Sequence, residues 1–198
     1  MVVAIADGLG SLLSSQVGAR LFCEQVVALG ITEPDSSARD YLTAAATRAG
    51  AVAEVTYALA YDEISFVAAV AVFSTEGCEL ARIGDVSGFT CHADGTFEEL
   101  FAADGGSINV VAISLPTTTV PAPESRRTSF NDPVVLATDG LANDIRTSAR
   151  LRAWLGEQWR TPLGAYAMAE SLRYRRQGSH DDRTAVVVWP PRLVRVDD

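Results

Sequence analysis

The feature that most limits what this chain can fold into is a switch of apolar period near its middle. Residues 17–29 and 38–60 carry apolar side chains at helical spacing, and residues 64–73, 79–83 and 86–92 then read as three successive strands. Turn signals separate these strands at Glu76-Gly77 and Gly84-Asp85, and Asp94-Gly95 is a hairpin dipeptide. A short β-branched run, residues 2–6, precedes the helices. Strands at 108–114, 134–138 and 184–189 and helices at 147–158 and 161–176 follow. Gly30 is expected to close the first helix and Gly50 to bend the second. The Pro- and Thr-rich stretch 117–129, with Arg126 and Arg127, is expected to be a loop. Paired helices on either side of consecutive strands predict α+β, an antiparallel sandwich covered by helices, in one domain over residues 1–198.

Charge and cysteine usage narrow the function classes. All 16 basic residues are Arg, against 25 acidic residues, for a net charge of −9. No nucleic-acid partner is expected, because such a surface needs clustered positive charge. Without lysine there is no Schiff-base or lysine general-base chemistry. Cys23, Cys78 and Cys91 make no CxxC pair, and with only His92 and His180 they offer no zinc spacing. A reduced, cytoplasmic protein is expected. No apolar stretch reaches the roughly 18 residues of a membrane span, so no membrane partner is expected.

Acids recur where strands meet turns: Asp7-Gly8 after the first strand, Asp139-Gly140 after Val-Leu-Ala-Thr, Asp181-Asp182 before the last strand, and Asp85 after Gly84. A single Asp-Gly is ordinarily just a β-turn. Four acids at the ends of apolar strands each need a partner, whether Arg, backbone amides or a divalent cation. If they converged, they would form a hard, all-oxygen site suited to Mg²⁺ or Mn²⁺.

The ordered motifs Ala-Asp7-Gly8-Leu-Gly-Ser, Ile-Gly84-Asp85-Val-Ser-Gly-Phe, Ala-Thr-Asp139-Gly140-Leu-Ala-Asn143-Asp144 and Gly178-Ser179-His180-Asp181-Asp182-Arg183-Thr184 resemble the metal-dependent (PPM, type 2C) serine/threonine protein phosphatases, most of all a bacterial branch. The resemblance implies a four-layer αββα sandwich with a two-metal Mg²⁺ or Mn²⁺ site and a metal-bound water as nucleophile. It implies that Asp7 bridges both metals, that Gly8 lends its backbone carbonyl to the second, and that Asp139 and Asp181 hold the first. Asp85 matches the position of a weaker third metal, alongside Asp139, and Asn143 stands where some members have an acid. The substrate implied is a phosphorylated protein.

Members of that family usually carry two strands before the Asp-Gly strand, bearing an Arg that grips phosphate and an acid that completes the second metal. This sequence opens on the Asp-Gly strand, so both are missing from it. Two expectations follow: an open strand edge at residues 2–6 that a second copy could pair with in a homodimer, and Asp62 or Glu63 turned toward the metals as a replacement acid. Candidate phosphate clamps are Arg126-Arg127 and Arg183. His180 reads as an exposed loop residue or a general acid, and Trp154, Trp159 and Trp189 as packing between helix and sheet. The alternative to an enzyme is a catalytically impaired phosphatase-like domain that regulates by binding.

Overall fold

The structure, a computed structural model, describes residues 1–10, 14–101, 114–175 and 181–193. The chain runs β1 (Val2–Gly8), α1 (Ser15–Thr32), α2 (Ala38–Tyr57), a 3₁₀ turn (Tyr61–Ile64), β2 (Phe66–Ser74), β3 (Gly77–Ile83), β4 (Ser87–Cys91), β5 (Phe97–Glu99), β6 (Glu124–Thr128), β7 (Val134–Ala137), α3 (Asp139–Thr147), α4 (Ala149–Gln158), α5 (Ala165–Ser171) and β8 (Ala185–Val188). Two antiparallel four-stranded sheets form, in the orders β1-β2-β3-β6 and β5-β4-β7-β8.

Three apolar clusters fill the three spaces between four layers. Phe66, Ala68 and Val70 of β2 face α1 and α2, where Phe22, Leu42 and Ala46 meet them. The alternate residues Val67, Ala69 and Ala71 face the other sheet, against Val134 and Leu136 of β7. The outer face of that sheet, with Phe89 and Val135, packs on Leu141, Ile145 and Trp159. The period of two in β2 thus divides one strand between two cores, which makes the architecture an αββα sandwich.

Local chemistry explains most element ends. Ser37 caps α2 by a capping box: its hydroxyl accepts the Asp40 N–H at 3.2 Å, and its own N–H donates to the Asp40 carboxylate at 3.3 Å. The helix stops at Ala58, a left-handed residue with φ 54°. At the Asp94-Gly95 hairpin, Gly95 has φ 83° and the Asp94 carboxylate accepts from Thr96.

Several expectations are corrected. Gly30 lies inside α1, which runs on to Thr32, and Gly50 lies inside a continuous α2. Both glycines make room for a neighbour, Val2 against Gly30 and the Tyr61 ring against Gly50. The stretch 117–129 is not all loop: Glu124–Thr128 is a strand, because the free edge of β3 offers it a ladder and an exposed edge strand needs no apolar alternation. The helix expected over 161–176 is only Ala165–Ser171, and α3 and β5 were not expected. Trp159 is fully buried, whereas Trp154 is 40% exposed. The strand expected at 108–114 lies outside the described residues except for Ser114.

Candidate functional site

Strand register puts the acidic turns at one end of the sandwich. In the first sheet Asp7 pairs with Val67 and Ile83 with Ala68, so the end of β1 and the end of β3 are level. In the second, Ser87, Ala137 and Ala185 are level, so the start of β4, the end of β7 and the start of β8 coincide. The link from Ile83 to Ser87 crosses between the sheets at that end. It carries Asp85 through a turn in which Gly84 has φ 87°, a conformation that favours glycine. Asp139 follows β7 and Asp181 precedes β8, so four turns from separate parts of the sequence meet at the same rim.

Close backbone contact fixes the last two turns together. Gly140 lies so near the Asp181-Asp182 backbone that a Cβ there would stand 2.5 Å from the Asp182 carbonyl oxygen. Thr138 N–H donates to the Thr184 carbonyl at 3.2 Å, and Thr184 N–H donates back to the Thr138 hydroxyl at 3.1 Å. On the other side of the rim, Leu9 N–H donates to the Ser65 carbonyl at 2.9 Å, and Gly8 packs on buried Ser15.

The electrostatics show that these carboxylates feel one another. Burial, then Asp139, Asp85 and Asp182, push Asp7 up to about 6. Burial, then Asp85, also raise Asp139, with Asp181 adding to the rise and Arg146 opposing it. Among the described residues, no three acidic, His or Cys side chains are drawn into a ready coordination cluster. The donor set is nonetheless all oxygen, from half-buried carboxylates crowded at one rim, and a divalent cation answers both their burial and their mutual repulsion. The residues fit such an ion.

Three further groups flank the rim: Asp182 and Asp144, which fall inside the sequence motifs without an assigned role, and Arg146, which falls in none. Asp182 acts on Asp7 more directly than its place in a turn suggests. Arg146 on α3 pairs with Glu99 and donates to the Ser87 hydroxyl at 2.5 Å and the Asn143 side chain at 3.2 Å, tying α3 to β4 and β5. Asp144, 1% exposed, accepts from Arg183 at 2.9 Å and from the Tyr174 hydroxyl at 2.8 Å, and the Arg183 guanidinium lies 4.3 Å from the Tyr174 ring centre. That network joins the helix beginning at Asp139 to the segment carrying Asp181. Arg183 is therefore engaged in an ion pair rather than free to clamp phosphate.

The Glu63 carboxylate accepts the Ala60 N–H at 2.7 Å and so caps its own turn. Neither Asp62 nor Glu63 is among the main charges acting on Asp7. Arg127 pairs with Glu79 at 3.1 Å, and Arg126 and Arg127 sit on β6 at the edge opposite β1. Gly178, Ser179 and His180 lie outside the described residues. Cys23, Cys78 and Cys91 are free thiols whose pKa burial raises to about 11, about 12 and about 11, which removes them as thiolate nucleophiles near neutral pH.

The model of the family Protein phosphatase 2C matches residues 1–174. The chain belongs to the protein phosphatase 2C family. Its function is that of the family, a serine/threonine phosphoprotein phosphatase, and this favours an enzyme over a binding module. Solved protein phosphatase 2C folds superpose on it. One is the Mycobacterium tuberculosis serine/threonine phosphatase PstP/Ppp, at 19% identity and TM-score 0.67 over 94% of this chain and 86% of that one. Another is the PstP catalytic domain in complex with two manganese ions, at 21% identity and TM-score 0.68 over 94% and 85%. A third is Staphylococcus aureus Stp1, at 14% identity and TM-score 0.67 over 94% and 82%. At these identities the superpositions speak for the fold. Compared with curated proteins by sequence, the chain matches none.

Proposed function

We propose that Asp7, the Gly8 carbonyl, Asp139 and Asp181 hold two divalent cations, Mg²⁺ or Mn²⁺, with Asp85 beside Asp139 for a weaker third. The centre acts on phosphoserine and phosphothreonine in protein substrates. The observation that carries this reading is the convergence of the Asp7, Asp85, Asp139 and Asp181 turns at one rim, with Asp7 raised by its neighbours. The manganese-bound PstP domain of the same fold supports the choice of metal. When bound, such ions activate water, neutralise phosphate charge and align in-line attack.

The chain's own residues set that arrangement. Asp7, at the end of a strand held by β2, presents a carboxylate whose position is fixed by the ladder. Asp139, the first residue of α3, shares the rim with Asp181 because Gly140 has no side chain to hold them apart. Arg146 moderates the rise of the Asp139 pKa. The same proposal includes a homodimer paired along β1, which is an edge strand, and a reducing, cytoplasmic setting suited to three free cysteines.

Hydrolysis of p-nitrophenyl phosphate with added Mn²⁺ tests the reading. Metal-dependent turnover is expected, with Asp139→Asn reducing kcat by about a hundredfold or more. A monodisperse chain with no turnover at millimolar Mn²⁺ overturns it.

A further inference from the structure

At the far end of α3 from the acidic rim is a pocket of about 460 Å³ lined by Ser148, Arg150, Leu151, Trp154, Tyr174 and Arg175. Among the described residues, its cations lack the carboxylate partners that many arginines of this molecule have. Arg20, Arg48, Arg127, Arg160 and Arg173 are each paired with a carboxylate, whereas Arg150 and Arg175 have no hydrogen-bond or ion-pair partner among the described residues. Two uncompensated guanidinium groups thus face one pocket in a chain of net charge −9. Trp154, 40% exposed, also lines it, its ring edge-on to Tyr174 with centroids 6.2 Å apart. Such a wall packs the aliphatic stem of a side chain whose charged head the arginines would take.

The pocket also has a fixed relation to the site. Helix α3 starts at Asp139 and has 9 residues, ending at Thr147 beside Ser148. At 1.5 Å per residue its ends are about 12 Å apart. An extended peptide covers that distance in about four residues. Tyr174, a wall of the pocket, also donates to Asp144, so the pocket is built on the network that carries the Asp181 segment.

We propose that this pocket receives an aspartate or glutamate of the phosphoprotein substrate, about four residues from the phosphorylated serine or threonine, and so selects substrates with acidic flanks. The proposal rests on the phosphatase reading above. Charge complementarity argues for this occupant: in a chain of net charge −9, two arginines on one pocket, without carboxylate partners among the described residues, attract an acidic side chain.

The test uses the full chain and two phosphothreonine peptides, one with glutamates four residues to either side and one with serines there. The wild-type chain should show a KM about tenfold lower for the acidic peptide. The double variant Arg150→Ala/Arg175→Ala should lose that preference while keeping its kcat and its turnover of p-nitrophenyl phosphate. Equal KM values in the wild type, or a preference that survives in the variant, overturn the proposal. Calorimetric binding of the unphosphorylated acidic peptide supplies an arm independent of catalysis. Binding by wild type that the double variant loses supports the pocket, and equal binding by both overturns it. A chain inert on p-nitrophenyl phosphate that still binds the acidic peptide through these arginines overturns the phosphatase reading and keeps the pocket.

Discussion

Asp7 combines what could and could not be read from individual residues. Its place after an apolar β-branched run marks it as a rim acid from sequence alone. Its titration could not be anticipated, because it depends on burial and then on Asp139, Asp85 and Asp182, residues distant in sequence that only folding gathers. The folded value of about 6 lies above the unfolded value of 3.8, so this group's contribution to stability is present below pH 3.8 and is lost as pH rises through about 6. The metal-free chain is therefore expected to become less stable from about pH 4 to about pH 6. Protons compete with a cation for the same oxygens, so Mn²⁺ affinity should rise as pH passes through about 6. Calorimetric titration at about pH 5.5 and about pH 7.5 checks this. An affinity that is flat between them removes Asp7 from the donor set. Asp182, quoted in a motif without a role, and Arg146, quoted in none, matter for the same reason: each acts through a contact that no local pattern announces.

Among the elements, α3 departs furthest from expectation. Asp139-Gly140 after an apolar run reads as a turn, and here the same dipeptide starts a helix. Its buried residues, Gly140, Leu141, Ala142, Asp144 and Ile145, are interrupted by Asn143 and include an acid. What makes a helix favourable there is tertiary: Asp144 finds Arg183 and Tyr174, partners about 30 to 40 residues further along, whose bonds offset its desolvation. Removing one member of such a pair strands the other. Asp144→Ala should cost about 3–5 kcal/mol, measured by denaturant unfolding, and should also weaken Mn²⁺ binding because the Asp181 segment loses its tie to α3. A variant as stable as wild type with unchanged metal affinity would show that the network holds nothing in place. The edge strand β6 was missed on similar grounds, since Glu-Ser-Arg-Arg-Thr carries no strand signal and pairs only because β3 has a free edge. By contrast the start of α2 at Ala38 was legible to the residue, because Ser37 and Asp40 form its cap within four positions of sequence, while its end at Tyr57 fell short of residue 60.

At the scale of the whole molecule, β1 and β8 are both edge strands, one in each sheet. Both are only half-buried along most of their length, and Val3, Val186 and Val188 join the cluster between the sheets from that margin. An exposed ladder beside a partly covered core is a template for another strand. Sedimentation of the full chain is expected to show a mass of two copies that dissociates on dilution, and a single-copy mass at every concentration overturns the dimer. An antiparallel sandwich covered by helices was readable in outline from the sequence, and the family resemblance implied its four αββα layers: the order of helical and strand periods, the apolar runs and the acids at their ends are local properties, set by side-chain size, branching and capping chemistry. Which acids share a rim, which arginines are paired and which pocket keeps two of them unpaired were decided only by the tertiary structure. Register and layer packing bring together residues far apart in the chain, and electrostatic energy depends on those distances in space rather than on separation along the sequence.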